Sequence, residues 1–179
     1  MFEEKRISSQ RIYEGAILNL RKDTVTAPKG TAYREIVEHN GAVAIVPVTE
    51  EGKLVMVRQF RYPSGKILLE IPAGKIDKGE TEPEKTARRE LKEETGYTAQ
   101  TLRYLGQLNP SVAYTEEVIH LYAATGLTPG EPEFDDDEDL EILEYDYREA
   151  YEMAASGKLV DAKTVAAIFM AKEQLNIQL

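Results

Sequence analysis

The 179-residue sequence is about one domain's worth of chain, and at 42% hydrophobic and 30% charged it can bury a core, which excludes wholesale disorder. Its 32 acidic against 22 basic residues give a net charge of -10, which argues against the dense basic face that holds a nucleic-acid backbone. Cysteine is absent, so disulfides, thiolate metal sites and thiol nucleophiles are excluded.

The opening segment MFEEKRISSQ has no apolar signal stretch, and no apolar run approaches membrane length, so a cytoplasmic protein with no membrane partner is expected. Residues 1–40 read as three or four short strands with apolar patches at Ile12–Tyr13, Ile17–Leu20 and Tyr33–Val37, and a turn at Pro28–Gly30. So little apolar material cannot form its own core, and the segment must pack on the rest of the chain or on a second subunit. Two apolar runs, Ala42–Val48 and Leu54–Phe60, flank Gly52 and predict a hairpin. Ile67–Ile71 is a further strand, ended by Pro72-Ala73-Gly74. Thr81 and Glu84 predict a capping box for a helix with Pro83 in its first turn and Gly96 past its last. Strands follow at Leu102–Leu108 and Val118–Ala123, then an acidic loop from Glu131 to Asp139. Asp146 and Glu149 predict a second capping box, and Asp161 opens a last helix with an apolar stripe through Val165, Ile168, Phe169 and Leu175. Strands, helix, strands, helices is the order of an α/β or α+β sandwich with a mixed sheet.

The chemistry lies in the first helix, in Arg89-Glu90-Leu91-Lys92-Glu93-Glu94-Thr95-Gly96. Glu90 and Glu94 stand one turn apart on one face, and Glu93 flanks them. Three carboxylates in a narrow arc repel each other, and Arg89 can relieve Glu93 at i+4, as Arg88 can relieve Glu84. What remains is an all-oxygen cluster suited to a hard divalent cation such as Mg2+. Most Glu-rich helices are simply solvated faces. Here a strand end and a Gly-bearing loop run straight into the helix, which brings backbone carbonyls beside the carboxylates.

This stretch resembles the signature box of the Nudix hydrolases. Gly74 and Glu80 match its first spacing, and Arg89, Glu90, Leu91, Glu93, Glu94, Gly96 and Tyr97 match its last part in full, with one extra residue between. Arg-Glu-Ile-Val-Glu-His at 34–39, Val-Arg-Gln-Phe-Arg at 57–61, Glu-Ile-Pro-Ala-Gly at 70–74 and Asp-Ala-Lys-Thr at 161–164 resemble the ADP-ribose pyrophosphatase branch. The resemblance implies a Nudix fold, with Ala73 (through its carbonyl), Glu90 and Glu94 as metal ligands. It makes Glu93 a further ligand, direct or through water, on the catalytic face. Arg34 and Arg61 are implied around the substrate, and Glu117, six residues beyond Ser111, joins them. Val112 stands where ADP-ribose-specific members carry a Pro, which opens the substrate choice.

Hydrolysis of a diphosphate by water also needs a carboxylate near the water, and this branch supplies it from a loop before a strand. Aligning Leu140 and Ile142 with that strand makes Glu138 the base, with Asp136 as runner-up. A calcium loop on Asp135, Asp137 and Asp139 is rejected, because Leu140 stands where Gly is needed. His39 and His120 have no neighbouring ligands in sequence, which disfavours zinc. The implied reaction is Mg2+-dependent (or Mn2+-dependent) hydrolysis of ADP-ribose to AMP and ribose 5-phosphate. The rivals are another nucleoside diphosphate sugar or a dinucleotide as substrate, and a module that senses ADP-ribose without cleaving it. A homodimer is implied, with residues 1–40 as a dimerisation segment and 41–179 as the catalytic domain.

Overall fold

Ala42–Pro47 is buried along its whole length, which requires cover on both faces of the sheet that holds it. The computed structural model describes residues 1–135 and 138–179. Among the described residues ten strands and three α-helices follow in order: β1 (Arg6–Glu14), β2 (Asn19–Ala27), β3 (Gly30–Glu38), β4 (Ala42–Pro47), β5 (Lys53–Arg61), β6 (Lys66–Glu70), β7 (Ala73–Lys75), α1 (Pro83–Thr95), β8 (Thr98–Leu108), β9 (Ile119–Thr128), β10 (Glu141–Asp146), α2 (Tyr147–Ala155) and α3 (Ala162–Leu175). The mixed α+β architecture expected from the sequence is the one found. Residues 1–41 and 109–118 form one unit, and residues 42–108 and 119–179 form the other.

The smaller unit is an antiparallel sheet, β1-β2-β3, joined by a bridge from Val37 to Thr115. Arg21 gathers Asp23, Glu38 and Glu116 around one guanidinium.

The larger unit has two sheets. One is ordered β7-β4-β9-β8, with β4 parallel to β9 and antiparallel to β7; the other is β10-β5-β6. Alternation along β4 sends Val43 and Ile45 to one face, where they meet Ala87 and Leu91 of α1. Ala42, Ala44 and Val46 face the other way, onto Leu54, Met56 and the α3 residues Ala167, Ile168 and Ala171. Tyr147 is buried in that second layer, its hydroxyl donating to the Ile168 carbonyl at 2.7 Å.

Two local expectations are corrected. β4 and β5 do not form a hairpin ladder. A single bridge, Val48 to Leu54, joins them, because each run is buried on both faces and serves a different sheet. The Thr81–Glu84 capping box is also not the cap. Proline at 83 disfavours helical backbone at the residue before it, so Glu82 (φ -119°, ψ 85°) becomes the N-cap and Thr81 falls outside. Asp146 and Asp161 do cap their helices, accepting from the N–H groups of Arg148 and Thr164.

Leu91 is the α1 side chain that seals the helix to the sheet, at 1% exposure. Leu91→Ala should cost about 2–5 kcal/mol in chemical denaturation. A loss under about 1 kcal/mol would mean that this layer repacks freely.

Candidate active site

The α1 face carrying Glu90 and Glu94 is turned inward, and both residues are buried. Gly74 explains how the strand approaches so closely, since a Cβ there would collide with the Glu90 carboxylate. Next to it, the Ala73 N–H donates to Glu94 Oε2 at 2.9 Å. The β7 backbone and the two carboxylates therefore share one small volume. Burial pushes the Glu94 carboxyl up to about 8; the Ala73 N–H opposes this, while the charges of Glu90 and Glu138 add to it. Glu90 is pushed up to about 7, again chiefly by burial, with Arg89 opposing. The Arg89 Nη2–Glu90 Oε1 distance is 2.8 Å. Glu93 is half-exposed and receives Arg89 Nη1 at 2.6 Å, the i+4 pairing expected from the sequence. Arg88 pairs with Glu84 in the same manner. Glu80 accepts from the Thr86 hydroxyl at 2.6 Å, which ties the loop before α1 to the helix.

Arg61 ends β5 and is gripped by Glu70, Nε and Nη2 donating at 2.9 and 2.8 Å to its two oxygens. Its positive charge reaches Glu94. Glu70 is itself buried and also receives Lys163 Nζ at 2.5 Å. Burial would raise the Glu70 carboxyl, but Arg61 and Lys163 outweigh it and hold it at about 2. Lys163 also donates to Asp161 at 3.0 Å, and the Thr164 hydroxyl donates to Asp161 while accepting from the Ile71 N–H. This network fixes the chain just before Ala73. Sequence reading did not find it; the signal was an acid in the apolar run Lys66–Glu70, which requires a buried partner.

Glu138 donates its N–H to the Asp135 carbonyl at 3.0 Å and accepts from the Asp135 N–H at 3.2 Å. Its negative charge acts on both Glu90 and Glu94, so the expected base stands near the expected metal ligands. Asp136 lies outside the described residues. Arg34 and Glu117 belong to the smaller unit. There Arg34 binds the Glu4 carboxylate and the Tyr33 carbonyl, and Glu117 lies 3.7 Å from His39 Nδ1. Tyr104 lies 3.4 Å from His120 Nδ1 through its hydroxyl.

Among the described residues, no three His, Asp or Glu side chains converge as a ready-made cation cage. Two buried carboxylates without full counter-charge lie instead beside the Ala73–Gly74 backbone, with Glu93 held aside by Arg89. Hard oxygen donors short of positive charge fit a divalent cation.

A mixed α+β unit with this carboxylate helix laid on a Gly-containing strand defines a metal-dependent hydrolase of phosphate anhydrides. The NUDIX domain model matches residues 38–168, and that of the nucleoside diphosphate sugar hydrolase N-terminal domain matches residues 4–35. The chain belongs to the Nudix hydrolase family, whose members use a divalent metal. It is 44% identical to an ADP-ribose pyrophosphatase of Bacillus subtilis (strain 168), over 98% of this chain and 97% of that one. It is 43% identical to a methanol dehydrogenase activator of Bacillus methanolicus, over 94% and 92%. A crystal structure of an ADP compounds hydrolase shares the fold, with a TM-score of 0.85 at 23% identity, over 98% of this chain and 96% of that one.

The raised carboxyls give a pH test with a definite sign. Glu94 binds its proton more tightly folded than unfolded, so stability falls as pH rises from its ordinary value toward about 8. Metal-free protein should be on the order of 2 kcal/mol less stable at pH 8 than at pH 6. Glu94→Gln should remove most of that difference in thermal melts with chelator, and should also remove the stabilisation by added divalent metal. A Glu94→Gln protein that keeps both effects would place the metal elsewhere.

Proposed function

We propose that this chain hydrolyses the diphosphate of ADP-ribose to AMP and ribose 5-phosphate, with Mg2+ as its metal and Mn2+ as a substitute. The observation that carries the reading is the Glu90–Glu94 pair, buried against the Ala73–Gly74 backbone with the Glu138 charge beside it. The 44% identity to an ADP-ribose pyrophosphatase supports the substrate. Glu90, Glu94 and the Ala73 carbonyl would hold the cation, with Glu93 as a further ligand, direct or through water. When bound, it neutralises diphosphate charge and lowers the pKa of a water. Glu138 takes the proton of the attacking water as its oxygen bonds to phosphorus, and the bridging oxygen leaves with the other phosphate. Arg61 keeps Nη1 for a substrate oxygen while Glu70 occupies Nε and Nη2, so its orientation is set before substrate arrives. Arg34 and Glu117 are further substrate-binding residues in this reading.

The match of residues 4–35 to an N-terminal domain of nucleoside diphosphate sugar hydrolases, together with Val112, favours a second reading in which another nucleoside diphosphate sugar is the preferred substrate. Product analysis against a panel of such compounds with Mg2+ separates the two. Glu90→Gln and Glu94→Gln should each lower turnover by about 10²-fold or more with the fold intact. Glu138→Gln should lower kcat strongly while substrate affinity holds, because a proton acceptor acts in the transition state. Turnover near wild type in both helix variants would overturn Glu90 and Glu94 as the metal ligands.

The chain works as a C₂ homodimer in the cytoplasm, residues 1–40 forming the dimerisation segment and 41–179 the catalytic domain. Exposed Ile7, Ile12, Tyr13 and Tyr33 on the β1-β2-β3 sheet support this assembly. Among the described residues no helix is long and apolar enough to cross a membrane. Mixing Arg34→Ala and Glu94→Gln subunits tests whether the site is shared between them. If Arg34 serves the partner's site, exchanged heterodimers regain activity in one site; if it serves its own, no activity returns.

A further inference from the structure

The acidic loop is tied to the end of α1 by contacts that the proposed reaction does not itself require. Gly96 follows the helix with φ 74°, a left-handed cap. The Gly130 carbonyl lies against it so closely that a Cβ on Gly96 would strike it, and a Cβ on Gly130 would stand 2.8 Å from the Gly96 oxygen. Two backbones meet here with no room for a side chain on either. Three residues on, the Glu133 N–H donates to the Glu93 carbonyl at 2.9 Å, filling one of the acceptors left open at a helix end. The Glu133 carboxylate receives Lys92 Nζ at 2.6 Å. Pro129 and Pro132 bracket Gly130 and restrict the backbone between these anchors. Two residues past Glu133, the Asp135 N–H holds the Glu138 carboxylate.

We propose that the Gly96–Gly130 contact and the Glu133–Glu93 hydrogen bond together form a positioning device that sets Glu138 over the Glu90–Glu94 pair. Gly130 and Glu133 are then positioning residues that act through Glu138, and the proposal rests on reading Glu138 as the base. The helix that carries the metal ligands thereby also serves as the reference for the group that takes the proton. Both halves of the chemistry are measured from the same turn of backbone, Glu93 to Gly96.

A loop that merely covers the helix end would contribute to stability whatever residue stands at 138. A double-mutant cycle separates the two roles, with kcat, KM and the melting temperature measured for the full-length metal-loaded enzyme. Gly130→Ala should lower kcat by about tenfold or more, since a displacement of about 1 Å at a catalytic group has this scale of effect. KM should hold. In a Glu138→Gln background the same change should alter kcat by less than about twofold, because the group it positions is gone. Glu133→Pro deletes the N–H donor without adding bulk at the glycine contact, and it should follow the same pattern; it carries the comparison if Gly130→Ala fails to fold. Equal fold-losses in both backgrounds overturn the positioning device and leave Glu138 as the base. Unchanged kcat in both single variants overturns it too. Near wild-type turnover in Glu138→Gln alone overturns the base, and the positioning device with it.

Discussion

Two carboxylates buried one helical turn apart, without full counter-charge, are a cost that the rest of this unit is arranged around. Burial opposes ionisation of Glu90 and Glu94, and neighbouring charges add to it, Glu93 at Glu90 and Glu90 at Glu94. Such a pair fits a divalent cation, whose charge would offset both carboxylates. The backbone answers this need directly. Gly74 leaves space for the Glu90 carboxylate, the Ala73 N–H steadies Glu94, and both belong to a three-residue strand paired to the central strand β4.

The same logic runs with opposite sign a few residues earlier. Glu70 is as deeply buried, yet Arg61 and Lys163 hold it ionised down to about pH 2. Glu70 has two cations that outweigh its burial and stays charged; at Glu90 and Glu94 burial outweighs the nearby Arg89 and Arg61. The division sorts three carboxylates within one unit into an ionised strut and a pair whose ionisation burial opposes. It also links α3 to the site, since Lys163, Asp161 and Thr164 fasten the chain that becomes β7.

Much of this was legible in the residues. The i, i+4 spacing of Glu90 and Glu94 and the Gly96 stop are local features, and local geometry decides them. The hairpin expected around Gly52 failed because buried runs such as Val43–Val46 and Leu54–Val57 carry no mark of which sheet they join. Proline at 83 overrode the capping-box pattern by moving the N-cap one residue, from Thr81 to Glu82. Lys163 was hidden because the partner of a buried acid, here 93 residues away, is set by tertiary packing rather than by spacing. Gly130 was not singled out in the sequence, because only the approach of a second backbone gives it a reason.

The parallel pairing of β4 with β9 bears on how the chain reaches this state. Ala42 lies opposite Ile119, so the central strand of the larger unit waits for a partner more than seventy residues later. Between them the chain leaves for the smaller unit at Asn109 and returns at Val118. As the polypeptide emerges from the ribosome, the apolar run Ala42–Pro47 has an unpaired edge until β9 is made, and distant pairing of this kind is slow. Exposed apolar runs with unpaired edges are the segments on which folding intermediates aggregate. The two units are threaded through one another in sequence, so neither can be released intact by a single cut.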